Sequence, residues 1–276
     1  MAYIRLPLLL AGIIGVLLLT GCEDNNTVAS QSVANSQISV DFEISNESDN
    51  STFVAAQFWS GSNIVVLTGG DRVITSINQT HDSVQLNDNL FEQLAALSDE
   101  HHEMAASIGQ TRFSFLGLDF IFDTHQAWYH TRFDNVRPGD RVYISFYRRS
   151  GESAPNSYVI IPDGFEFTQP VAGSGGLYSR SLDQIDIAWT PSGSGLSMSL
   201  YLAAHCLDGS SASWSSLNFA DSGTLTVPAG AISGLSGDCT YTLQLVRSAA
   251  GVLASKYQGG TIQARQVRSV NVNTIE

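Results

Sequence analysis

The chain predicts an all-β protein built from two tandem β-sandwich domains behind an export signal. Three observations carry that expectation. Short runs rich in β-branched and aromatic residues recur through the chain between Gly, Asn, Asp, Ser and Pro, the punctuation of all-β domains. The 276 residues are too many for one small sandwich and suit two domains of about 110 residues. An apolar N-terminal run ends at a cysteine preceded by small residues, the layout of a cleaved secretion signal.

The signal is read over residues 1–21. Arg5 supplies a positive start, and 6–19 form an apolar run well short of the roughly 20 residues that span a bilayer. Leu19-Thr20-Gly21-Cys22 resembles the lipobox of bacterial lipoproteins. That resemblance implies acylation of Cys22 as the first mature residue, with several chains making the membrane tether effectively permanent. Glu23 stands where aspartate would favour inner-membrane retention. Both membranes of the cell envelope stay open, with the outer membrane ahead.

Residues 22–37 are polar and without apolar period, and are expected to form a flexible tether. The first domain is expected over 38–163, with strand-like runs at 38–44, 52–59, 64–67, 72–77, 112–122, 127–133, 141–147 and 158–161. Between them Leu90, Leu94, Leu97, His101, Met104 and Ile108 recur at steps of four and three, the stripe of an amphipathic helix. Asn89 and Glu92 suit its start and Gly109 its end, so a helical insert is expected over 89–108. Past Pro162 the text changes, and a second domain over 164–276 alternates at 184–189, 196–203, 216–219, 224–227, 240–246 and 261–272.

The halves share a local pattern. Val136, Val142 and Arg148 follow one another at steps of six, as do Leu235, Tyr241 and Arg247, with turn formers before the second residue of each set and Gly151 and Gly251 after the arginines. A sandwich corner accounts for it: a hydrophobic plug, a tight turn, then a strand whose first large residue packs back. Leu235 to Tyr241, with Ile187-Ala188-Trp189-Thr190-Pro191, resembles the fibronectin type III fold. More broadly the chain resembles exported bacterial lipoproteins of tandem immunoglobulin-like modules, a family of unknown function. The first half departs from that pattern, since Val142 holds the tyrosine place and the insert is extra.

With Cys22 acylated, Cys206 and Cys239 remain in an oxidising compartment, which favours a disulfide over a metal site or a catalytic thiol. The scaffold resemblance implies that they meet, since the end of the third strand lies beside the start of the sixth.

Charge narrows the function. Residues 22–169 hold 20 acids and 7 bases and residues 170–276 hold 6 and 5, a field that repels nucleic acid. Lys256 is the single lysine, which removes most lysine chemistry. Asp99, His102 and Glu103 at helical spacing are too few for a metal site, and a solvated helix face explains them. No Gly-x-Ser-x-Gly turn, metalloprotease motif or phosphate loop occurs. Trp214 in a serine-rich stretch is the tryptophan best suited to stack on a sugar, while Trp59 and Trp128 read as core. The expectation is a membrane-anchored, non-enzymatic binding or structural interaction protein of the cell envelope, with a protein partner and no cofactor or metal. The alternative is a carbohydrate-binding or hydrolytic accessory protein that uses the acidic first domain.

Overall fold

A computed structural model describes residues 27–46, 51–78, 101–103, 105–108, 111–115, 118–122, 127–149, 151–171, 177–191 and 196–276. In the first half these form β1 (Thr27–Ala29), β2 (Ser39–Asn46), β3 (Ser51–Ser60), β4 (Asn63–Val66), β5 (Arg72–Ile77), β6 (His101–Glu103), β7 (Ala105–Ile108), β8 (Thr111–Phe115), β9 (Leu118–Phe122), β10 (Ala127–Asp134), β11 (Arg141–Tyr147) and β12 (Ala154–Ile160). The second half supplies β13 (Phe167–Gln169), β14 (Leu177–Ser179), β15 (Ile185–Trp189), β16 (Ser197–Cys206), β17 (Ser211–Ala220), β18 (Thr224–Val227), β19 (Cys239–Ala250) and β20 (Gly259–Ile275).

Both halves are antiparallel sandwiches with one strand order. Setting aside β1, β4 and β7 to β9 in the first half and β14 in the second, each half runs through seven strands. The first, second and fifth form one sheet: β2-β3-β10, and β13-β15-β18. The fourth, third, sixth and seventh form the other: β6-β5-β11-β12, and β17-β16-β19-β20. This is the immunoglobulin and fibronectin type III-like arrangement, with alternate residues of both sheets meeting inside. Val40, Phe42 and Ile44 of β2 face Val142, Ile144 and Phe146 of β11 in the first core. Ile187 and Trp189 meet Leu200, Leu202, Leu243 and Leu245 in the second.

The halves are nonetheless joined by one strand. β20 is 17 residues long, about 53 Å at ~3.3 Å per residue. Its later part pairs with β19 in the second sandwich. Its opening residues pair in parallel with β2, from Ser39 opposite Gly259 to Asn46 opposite Gln266. Tyr257, Ile262 and Ala264 accordingly belong to the first core, whereas Val270 and Val272 belong to the second. A division into 38–163 and 164–276 therefore needs correction: the segment around 252–266 builds the first sandwich. Its own period of two is the same in either sheet, so nothing local assigns it.

Two other expectations are corrected. The insert expected as a helix over 89–108 is extended wherever it is described: β6 pairs with β5 and β7 with β10, while 89–100 and 104 lie outside the described residues. Edge strands of β5 and β10 offer unpaired backbone groups, and satisfying them outweighs a helical stripe. The tether expected over 22–37 is built into the first sandwich from residue 27. β1 pairs in parallel with β4, 3-10 turns follow at Ser30–Ser32 and Asn35–Gln37, and Ser30 and Asn35 are buried. A polar composition signalled disorder here, but the polar groups are answered by the arginine described next.

Candidate functional site

Polar chemistry gathers at the ends of the sandwiches. At the end of β11, Arg148 is buried with its Nε 3.5 Å from Asp71 Oδ2. Its Nη1 donates to Val33 O at 2.6 Å and Asn35 Oδ1 at 3.1 Å, and its Nη2 to Ser30 O. Ser30 Oγ donates to Asp71 in turn. In β19, Arg247 is fully buried, its Nε 2.9 Å from Asp221 Oδ2. It donates to Asp163 O, Gly164 O and Thr190 O at 2.8, 3.0 and 2.6 Å and lies over the Phe165 ring. Each arginine of the repeated pattern thus holds carbonyls of the segment that leads into its own sandwich, and Arg247 also holds one after β15. Sequence reasoning found both arginines but missed their acids, which sit in unrelated connections. Each guanidinium is buried and paired with an acid, which marks these centres as structural.

The open site is the far end of the second sandwich, where five segments converge. Cys206 and Cys239, in register on β16 and β19, form a disulfide with Cα atoms 3.9 Å apart. Leu207 N donates to Asp238 O. Arg180 Nη1 donates to Gly237 O at 2.7 Å, and Gly237 N to Glu276 Oε1 at 3.1 Å. Asp208 accepts from Ser236 Oγ and from Ser210 Oγ and N. Those bonds, the one from Ser236 foremost, hold its carboxyl down at about 2. On loops fastened this way stand Leu182 and Leu207, 82% and 88% exposed, with Leu177 at 59%. Leu177, Leu182, Asp183, Thr226 and Pro228 line a shallow depression. Apolar side chains presented to water from hydrogen-bonded loops form a surface that another macromolecule can cover.

Other sequence candidates fall elsewhere. Cys22 and Asp99 lie outside the described residues. His102 and Glu103 are consecutive on β6 opposite Thr75 and Ile74, so the helical spacing that brought them together does not exist. Trp214 stands on β17 and not in a loop, half-buried against the second core. Trp59 is half-buried against the first. Among the described residues, no group of three or more His, Cys, Asp and Glu comes together, and no helix is long and apolar enough to cross a membrane. Three depressions are each lined by one carboxylate, Asp183 or Glu152.

No family model and no curated protein matches the chain. Among solved structures it is similar to the Yersinia pseudotuberculosis adhesin InvE (9% identity, 92% of this chain and 61% of that one, TM-score 0.22). It is also similar to the mouse nectin-like molecule 4 ectodomain (11%, 88% and 66%, TM-score 0.23). A two-domain fibronectin type III segment of chicken tenascin gives 10%, 84% and 96%, with a TM-score of 0.21. The chain spans about three fifths of the InvE structure. At TM-scores this low, the strand order itself and not these likenesses defines the architecture.

Proposed function

We propose that this chain is an exported lipoprotein, acylated at Cys22, that serves as a non-enzymatic interaction protein of the cell envelope and offers the far end of its second sandwich to a protein partner. The observation that carries this reading is the placement of the two ends. Thr27 is in register with Ile64, Ile64 with Trp59, Trp59 with Ser39 and Ser39 with Gly259, so the chain enters level with the start of β20. Ile275 is the opposite end of that 17-residue strand, about 53 Å away at ~3.3 Å per residue. Four residues separate Cys22 from Thr27, a reach of at most about 18 Å. A lipid on Cys22 would therefore stand the first sandwich directly on the membrane and carry Leu182 and Leu207 outward.

Two arms test this reading. Cys22→Ala should move the protein from membrane to soluble fractions, and unchanged fractionation refutes the anchor. Crosslinking in intact cells should capture a protein partner that Leu182→Asp with Leu207→Asp abolishes. Capture of the same partner at full yield by the double variant refutes the tip.

A further inference from the structure

We infer that the first sandwich is completed by a strand borrowed from the second, so that neither the first sheet nor the junction closes until the last strand of the chain is in place. The β19–β20 hairpin reaches past its own sandwich and enters the seam between β2 and β12. On the β12 side, Tyr158 and Val252 exchange both backbone bonds, at 2.9 and 2.7 Å, and Ala254 N donates to Ser157 Oγ. On the β2 side the eight-residue parallel pairing is tied by Thr261 N and Oγ1 to Asp41 and by Arg265 to Glu43. At the hairpin tip Gln258 N donates to Ile38 O, Lys256 pairs with Glu152, and Tyr257 is buried edge-on against Phe42.

The fit leaves no room. Gly260 has φ +118°, and a Cβ there would lie 1.7 Å from Val40 O. Glycine is what lets the two backbones approach this closely. The connection is fixed as well, since Gln266 Nε2 donates to Pro162 O and Arg247 holds Asp163 and Gly164. Tandem modules ordinarily move about their linker. Here an unbroken strand hydrogen-bonded in both bodies removes the hinge. Strand addition of this kind normally joins separate chains; in this chain both partners lie in one sequence, about 220 positions apart.

The single lysine makes the seam measurable, because a lysine-specific protease can cut the full chain at Lys256 alone, at the hairpin tip. In the native protein cleavage should be at least about 100-fold slower than in the urea-unfolded chain, reporting docking. Gly260→Val should abolish that protection. In hydrogen exchange the same variant should strip β3 and β11 of their slow amides while β16 and the paired residues of β19 near Cys239 keep theirs. Should Gly260→Val fail to fold, a urea series on the unaltered chain decides: cleavage at Lys256 and loss of β3 protection should rise along one transition. Rapid cutting of the native chain overturns the inference. So does a Gly260→Val chain that is cut fast yet keeps β3 and β11 protected, or a urea series in which the two signals separate.

Discussion

The two sandwiches share a strand order and a buried arginine at the end of the sixth strand, yet they reach a closed state by different means. The second is self-sufficient: its own seventh strand completes the sheet, and a disulfide braces its far end. The first has a seventh strand, β12, but takes a further strand from its neighbour against β2. Their carboxylates differ too. Asp71 lies before the third strand of its sandwich and Asp221 after the fourth of the other, so compensation of a buried guanidinium is what recurs and not a particular connection. A buried charge must be answered, but any loop that reaches the pocket can answer it.

The largest expected effect is removal of one acid. Asp221→Ala leaves Arg247 buried without its counter-charge and should cost about 3–5 kcal/mol in urea unfolding. Asp71→Ala should cost less, because the Arg148 pair is longer, 3.5 against 2.9 Å. Equal losses, or losses near zero, would break the comparison. Next, Cys206→Ala with Cys239→Ala opens a loop of 33 residues and should cost about 3–4 kcal/mol on the chain-entropy account, with exchange at the far end affected before the junction.

The smallest effect is acid titration at Asp208. Its folded carboxyl sits at about 2, below the ordinary value near 4, so the ionised form is the one that folding favours. The stability it contributes is present above pH ~4 and lost as pH falls toward ~2. Melting temperatures of Asp208→Asn and the parent chain should differ slightly at pH 6 and converge at pH 2. A constant gap across that window would remove the carboxylate from the account.

Much of this was written locally. The alternation at 240–246 marks which face is buried, because side-chain direction along a strand has a period of two, and the repeated Val136-Val142-Arg148 and Leu235-Tyr241-Arg247 patterns mark the corners; along 142–146 both faces are buried, which no alternation announces. The tip was not legible: Leu182 and Leu207 carry no periodic signal, and their meaning comes from exposure on fastened loops. The acids that answer Arg148 and Arg247 were not legible either, since nothing near them in the chain marks them.

By itself, then, the amino-acid order determined the all-β class, the alternation of the sheets and the corner arginines. Tertiary structure decided that 101–103 and 105–108 would be strand, that 27–37 would pack, and that residues 259–266 would serve the other sandwich. The physical reason is one and the same. Periodicity specifies which side of a segment meets the core, whereas the choice of neighbour along a sheet edge depends on which unpaired backbone groups the rest of the fold leaves open.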